Sequence, residues 1–153
     1  MRRSAGDEAE VQLRKIDQLF ERYGESHRNP RNKVIHWVCV PLIVWSVLAA
    51  LWAWSPAAAY VAIGLALAYY AWLSPAIAVG MLAVIALMVY PLTLLGNRAF
   101  VVAVVVFVLA WIGQFIGHQI EGKKPSFFED IFFLLVGPAW LLGFVYRRVG
   151  IAY

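Results

Sequence analysis

Residues 34–97 read VIHWVCVPLIVWSVLAALWAWSPAAAYVAIGLALAYYAWLSPAIAVGMLAVIALMVYPLTLLGN and contain no Asp, Glu, Lys or Arg. A stretch of this length without a charged side chain is too apolar for a soluble domain. Over the whole chain 63% of residues are hydrophobic and 14% are charged, and the mean hydropathy is +0.72. This composition is typical of integral membrane proteins.

Three breaks divide the apolar sequence into segments of 18 to 21 residues. Each is close to the roughly 20 residues that cross about 30 Å of hydrocarbon. Ser55-Pro56 and Ser74-Pro75 each supply a helix N-cap followed by a first-turn proline, and Gly96-Asn97 indicates a tight turn. The sequence therefore predicts four antiparallel transmembrane helices: Val34–Trp54, Pro56–Leu73, Pro75–Leu95 and Ala99–Gly117.

The segment before the first span, residues 1–33, predicts an amphipathic helix from Ser4 to about Gly24. Asn29-Pro30 ends it, because a residue before proline is disfavoured in the helical conformation. We expect the helix to lie on the membrane or against the bundle. Its apolar face consists of Leu13, Ile16, Phe20 and Tyr23.

A polar loop, residues 118–126, is expected after the fourth span. The capping box Ser126–Glu129 then predicts a fifth helix, within residues 127–153, that runs to about Tyr146. Gly137-Pro138 interrupts this short helix, so we expect a re-entrant or interfacial segment, with a full fifth crossing as the alternative. The predicted fold is all-α: a single membrane-embedded domain with four transmembrane helices, an amphipathic helix and a short fifth helix.

The distribution of charge predicts the orientation. Eight of the 13 Lys and Arg residues lie in residues 1–33, which favours a cytoplasmic N-terminus in contact with membrane lipid. Interleaved acidic residues disfavour nucleic acid as a partner, and the segment lacks the apolar core of a signal peptide. We expect a multi-pass protein of the plasma membrane in a bacterium, or of the endoplasmic reticulum in a eukaryote. The formation of a homo-oligomer is left open by the sequence. The single cysteine, Cys39, excludes an internal disulfide.

An even number of crossings returns the chain to its starting side, where His118 can meet His27 and His36. On the fourth membrane helix Gln114, His118 and Glu121 share one face at positions i, i+4 and i+7. Imidazole and carboxylate groups are ligands for transition metals. The sequence therefore predicts a metal site at the cytoplasmic surface. The alternatives are separate interfacial histidines and a Glu121 that pairs with Lys123 or Lys124.

Glycines on the same helix indicate how closely it can pack. Gly113 and Gly117 are spaced four residues apart, which is the pattern that allows close approach of a second helix in a membrane. We expect a tight helix–helix contact next to the predicted metal site.

Two motifs extend this hypothesis. They are Tyr23-x3-His27-x4-Asn32-x3-His36-x4-Pro41 and Trp111-x2-Gln114-Phe115-x-Gly117-His118-x2-Glu121-x3-Pro125. The chain resembles small membrane proteins related to the yeast 2-hydroxy fatty acid dioxygenase of phytosphingosine degradation. The resemblance covers almost the whole chain, including the four-span layout, and departs at Cys39, where glycine is expected.

The resemblance implies an Fe(II)-dependent dioxygenase of fatty acid alpha-oxidation. Such an enzyme converts a 2-hydroxy fatty acid and O2 to the acid one carbon shorter, CO2 and water. His27, His36 and His118 would be the metal ligands, with Glu121 as a fourth ligand or a support. Asn32 and Gln114 would supply hydrogen bonds. Five basic residues are candidates for attracting the substrate carboxylate, with lipid head groups as the alternative partner: Arg28, Arg31, Lys33, Lys123 and Lys124. Tyr23 is a further candidate for substrate binding, by a hydrogen bond at the site, with simple packing as the alternative.

Two other classes of function remain open from the residues alone. The chain could be a non-catalytic membrane protein whose histidines bind a metal or haem, or sense pH. A small transporter is less favoured, because the longest spans carry no charged residue and ion paths usually do.

Overall fold

The computed structural model describes residues 14–124 and 133–153, and every regular element within them is helical. The all-α prediction is confirmed. The predicted start at Ser4, Leu13 and the capping box Ser126–Glu129 lie outside the described residues. The helices are α1 (Lys15–Gly24), α2 (Pro30–Trp54), α3 (Pro56–Leu73), α4 (Pro75–Leu95), α5 (Ala99–Glu121) and α6 (Phe133–Val149), with a 3-10 turn at Gly96–Arg98 between α4 and α5.

The helices that carry the motif residues are longer than the predicted spans. α2 begins at Pro30 rather than Val34, because the Asn29 side chain caps it by accepting a hydrogen bond from the Arg31 N–H at 2.9 Å. α5 continues to Glu121 and ends at Gly122, whose φ of 74° provides a left-handed C-cap. The predicted loop 118–126 therefore begins as helix.

Helix capping elsewhere follows the sequence. The Ser55 hydroxyl accepts a hydrogen bond from the Ala58 N–H at 3.4 Å, and the Ser74 hydroxyl accepts one from the Ile77 N–H at 3.3 Å. Gly96 has a φ of 51°, which only glycine adopts without strain, and the chain turns there. All three predicted breaks between the apolar segments are confirmed.

Within residues 14–124 and 133–153, three helical stretches are long and apolar enough to cross a membrane, which indicates a membrane protein by helix length and composition. They are Pro30–Trp54, Pro56–Leu73 and Pro75–Glu121. The third has 47 residues and contains α4, the 3-10 turn and α5. A straight helix of that length would measure about 70 Å, more than twice the hydrocarbon thickness.

Two buried apolar clusters mark the two ends of the bundle and give its topology. Along α2 and α4 the chain meets the proximal cluster before the distal cluster, whereas α3 meets them in the reverse order. α5 also runs opposite to α2, because Ala103 lies in the distal cluster and Gly117 lies against Asn32 near the start of α2. Neighbouring helices are therefore antiparallel. The distal cluster is Leu48, Ala49, Leu92 and Ala103; the proximal cluster is Ile16, Phe20, Tyr23, Val40, Tyr70, Ile77, Met81, Phe133, Val136, Ala139, Trp140, Leu141 and Tyr146.

α2 and α5 form the closest helix pair. A Cβ added at Gly113 would lie 2.6 Å from Cys39 Sγ, and one added at Gly117 would overlap Asn32 Oδ1. The small-residue surface predicted from the sequence is confirmed, and Cys39 is small enough to keep the approach. This pair holds the histidines of both helices at the same depth.

α1 packs against the bundle through Ile16, Phe20 and Tyr23, as its predicted apolar face requires. α6 is one continuous helix through Gly137-Pro138 and covers α1. Hydrogen bonds from the Tyr70 hydroxyl to the Leu135 carbonyl and from the Tyr146 hydroxyl to the Ala76 carbonyl, each 2.8 Å, attach α6 on both sides of the α3–α4 turn. This attachment favours the interfacial or re-entrant position, and the absence of a fifth crossing stays a prediction.

Candidate metal centre

The three histidines converge at the proximal end of the bundle. The ring centroid of His27 lies 4.1 Å from that of His36 and 5.2 Å from that of His118, and His36 and His118 are 4.9 Å apart. All three side chains are at most 4% exposed. Each offers one ring nitrogen within 4.8 Å of the other two, so the group can hold one metal ion.

Backbone carbonyls fix the tautomers of two of these rings. His27 Nδ1 lies 2.6 Å from the Tyr23 carbonyl, and His36 Nδ1 lies 2.9 Å from the Asn32 carbonyl. A carbonyl only accepts, so each Nδ1 carries the proton and each Nε2 keeps its lone pair. This is the usual support of a metal-binding imidazole.

Two ring nitrogens in the group are buried without a hydrogen-bond partner: His27 Nε2 and His118 Nδ1. Leaving a buried polar atom unsatisfied costs about 1–3 kcal/mol, and a metal ion would remove that cost at both atoms. The donor set therefore fits a metal, although imidazole alone suits Zn, Cu, Fe and Ni.

His27 lies between α1 and α2, and its environment keeps the ring uncharged. Burial lowers the pKa of His27 to about 4, against the opposing effect of its hydrogen bond to the Tyr23 carbonyl. The Tyr23 ring stacks on it, with centroids 4.2 Å apart and an interplanar angle of 13°. Burial also raises the pKa of Tyr23 above its usual range, so both side chains are neutral at physiological pH.

Glu121 connects the end of α5 to the start of α2. Its Oε1 accepts a hydrogen bond from the Arg28 N–H at 2.8 Å; its Oε2 accepts from the Asn29 N–H at 2.8 Å and from Asn32 Nδ2 at 3.1 Å. We call these three bonds the Glu121 clasp. These contacts favour the supporting role over the ligand role, which stays a prediction.

The remaining polar motif residues face the same region. Asn32 also donates to the Ser26 carbonyl, and its Oδ1 is buried without a partner. Gln114 is 4% exposed and lines a cavity of about 40 Å³ together with the three histidines. An imidazole cluster, an amide and a small cavity thus adjoin one another, which is the arrangement expected of a site that binds a small polar group.

The comparison with known protein families bears on this geometry. The family model described as 2-hydroxy-palmitic acid dioxygenase Mpo1-like matches residues 13–149. The chain belongs to the Mpo1-like family. This match covers every helix and all three histidines, and it confirms the resemblance given by the two sequence motifs. No curated protein and no solved structure matches the chain.

The basic residues of this Mpo1-like chain surround the site without lining its cavity. Arg28, Arg31, Lys123 and Lys124 are exposed and Lys33 is half-buried. Within the described residues, the cavity wall contains none of these side chains, whereas it does contain Tyr23. Their contact with a substrate carboxylate stays a prediction, and their position also suits lipid head groups.

Sequence reasoning missed the part of α6 that covers the Mpo1-like centre. Phe133 and Gly137 line the histidine cavity, and the Trp140 ring lies 5.4 Å from the His27 ring. A Cβ at Gly137 would lie 2.9 Å from the Tyr23 hydroxyl. The sequence signal for this cover is the glycine of Gly137-Pro138, a pair that by itself predicts only an interruption of a helix.

The Glu121 clasp predicts how a substitution of Glu121 changes metal binding. Glu121→Gln should weaken metal binding by about tenfold, because the neutral amide loses charge-assisted bonds worth about 1.5–3 kcal/mol and turns an NH2 toward one backbone donor. Metal content after dialysis against a graded chelator series measures the change. Gln119→Ala, at an exposed position on the same helix turn, is the control; equal metal retention in both variants would contradict the clasp.

Proposed function

We propose that this protein is an Fe(II)-dependent dioxygenase that converts a 2-hydroxy fatty acid and O2 to the fatty acid one carbon shorter, CO2 and water. The supporting observation is the group of three buried histidines with two unpartnered ring nitrogens, in a chain of the family named for 2-hydroxy-palmitic acid dioxygenase. The stoichiometry needs no further reductant, since the four electrons lost by the 2-hydroxy acid reduce one O2.

Bound Fe(II) would supply the redox centre at which O2 and the 2-hydroxy acid react. Backbone and side-chain groups of the protein orient the ligands, bind the substrate and exclude water. The carbonyls of Tyr23 and Asn32 hold two imidazoles in the tautomer that presents Nε2. Gln114, whose side chain lines the cavity, is positioned to hydrogen-bond the hydroxyl or carboxylate of the substrate. Val40 and Phe133 form apolar walls that exclude water.

We further propose that α2 to α5 each cross the membrane once, with the N-terminus and the metal centre at the cytoplasmic face. Support comes from the antiparallel order of the four helices and from the basic residues around the histidines. In this orientation Arg28, Arg31, Lys123 and Lys124 attract an anionic substrate or lipid head groups. α6 then lies at the same interface.

A metal-binding protein without this catalytic activity is the competing class. Haem is the less favoured ligand, because the histidine cavity of about 40 Å³ is too small for a porphyrin. Oxygen and substrate consumption by the purified protein distinguishes an enzyme from a metal-binding protein, since a structural metal site would bind the ion without consuming O2 or substrate.

The experiment uses detergent-purified protein loaded with Fe(II) and incubated with 2-hydroxypalmitate, first without and then with O2. We expect the fifteen-carbon acid to appear only after O2 is admitted, with one CO2 released for each O2 consumed. Loading with Zn(II), which imidazole also binds but which has no redox chemistry, is the control. Stoichiometric iron with no oxygen-dependent product would overturn the proposal.

A further inference from the structure

A second, larger cavity lies beside the histidine cavity. Its volume is about 560 Å³, within the 300–1,000 Å³ typical of ligand pockets. Its walls come from α2, α3, α4, α5 and α6, and its lining is almost wholly apolar. The one hydroxyl in the wall, that of Tyr70, already donates to the Leu135 carbonyl. A ligand of this cavity must therefore be a hydrocarbon group.

The two cavities share part of their walls. Ile43, Val44, Trp111 and Leu134 line both of them. A molecule with a polar head at the histidines and an apolar tail past Trp111 would occupy both at once. The imidazoles and the Gln114 amide line only the histidine cavity, whereas the Tyr70 hydroxyl of the large cavity is already engaged, so a polar head favours the histidine side.

The large cavity extends away from the metal centre toward the distal cluster. Along α2 it is lined from Ile43 to Leu51, which lies fifteen residues, or about 22 Å of helix rise, beyond His36. On the antiparallel α3 its deep end is formed by Ala62 and Ile63, and Ile63 packs against the distal cluster. The far end of the cavity therefore abuts the packed distal cluster and is lined by apolar side chains.

We propose that this cavity holds the acyl chain of the substrate and that its deep end, formed by Leu48, Leu51, Ala62 and Ile63, limits the chain length accepted. This inference rests on the proposed function and adds a specificity-determining site to it. The 2-hydroxy acid group lies at the histidines and the terminal methyl group approaches the distal cluster. A longer chain that stays in the cavity meets Leu48, which is buried in the distal cluster, and Ile63, which packs against it, and displacing them costs free energy.

The test places a larger side chain at the deep end of the large cavity. Ala62→Phe should lower kcat/KM for sixteen-carbon relative to ten-carbon 2-hydroxy acids by at least about tenfold, since one methylene more or less in an apolar pocket changes kcat/KM by about 10–200-fold. Ala68→Phe makes the same change on an exposed position of the same helix and should leave the ratio unchanged. Leu51→Ala should shift the preference toward longer chains.

A binding measurement separates this inference from the proposed function. Without O2, a 2-hydroxy fatty acid carrying a diazirine near its methyl end should cross-link to residues 47–51 and 62–63, in competition with unlabelled palmitate. If no 2-hydroxy acid is turned over but this labelling is found, the proposed function fails and the acyl site stands. Turnover with an unchanged chain-length ratio in Ala62→Phe, or labelling spread over exposed residues such as Leu65, would overturn the acyl site.

Discussion

His118→Ala is expected to release the iron and to lower turnover of a 2-hydroxy fatty acid by more than about 100-fold. Loss of even a supporting outer residue typically costs a metal site 10–100-fold, and this substitution removes a ligand nitrogen. His118 Nδ1 is buried without a hydrogen-bond partner among the described residues, so the substitution removes no hydrogen bond at that atom there. The measurements are iron content after desalting and oxygen-dependent product formation at saturating Fe(II).

The variant should keep its fold, because the ring contacts the other two imidazoles and has one backbone hydrogen bond, at Lys123 just beyond the end of α5. Circular dichroism and elution as a single detergent-solubilised species check this. Gln119→Ala, one position along the same helix and exposed, should retain iron and activity. If His118→Ala bound iron stoichiometrically and turned over substrate at the normal rate, the ligand assignment would be wrong.

Gly117→Ala is the second change with a large expected effect. The added methyl group would overlap Asn32 Oδ1 and lie 3.3 Å from Ile35 Cγ2. The Asn32 amide is held by bonds to Ser26 and to Glu121, so it cannot rotate away freely. Overpacking of this kind costs about 1–3 kcal/mol, and it moves α5 with His118 away from α2 with His36. We expect a lower unfolding temperature in detergent and loss of most of the bound iron.

Gly64→Ala is the matched control. A Cβ there meets nothing within 4 Å, and alanine is better in a helix interior by up to about 1 kcal/mol. The two glycine substitutions should therefore change stability in opposite directions. Equal unfolding temperatures and equal iron contents would show that the α2–α5 approach tolerates a methyl group.

Most of the fold could be predicted because membrane helices obey strong local rules. The absence of charge in residues 34–97 predicts membrane helices, and the two Ser-Pro pairs and Gly96-Asn97 predict where these helices end. Each of these signals depends on only a few neighbouring residues, and the structure has a helix boundary at each of the three pairs. The meeting of the three histidines could be predicted because an even number of crossings returns the chain to the side where it started. It needed only the direction of each segment, and no knowledge of side-chain packing.

The details of the site could not be predicted, because they depend on contacts between segments distant in sequence. The position of Glu121 on α5 predicts it beside the metal, but two of its three partners are the backbone N–H groups of Arg28 and Asn29, which carry no sequence signal. The cover provided by α6 and the apolar cavity depend on how five helices pack around Trp111. Hydropathy gives the length of such helices and leaves their mutual rotation undetermined.

The distribution of the three imidazoles along the chain has a consequence for biogenesis. Two come from residues made before the first long helix is complete, and the third is translated only after α3 and α4 have followed it. A nascent chain still short of His118 therefore holds an incomplete set of ligands and keeps cations weakly. Acquisition of the proposed metal ion would therefore follow the synthesis of α5, and cells starved of that ion would accumulate the folded protein without it.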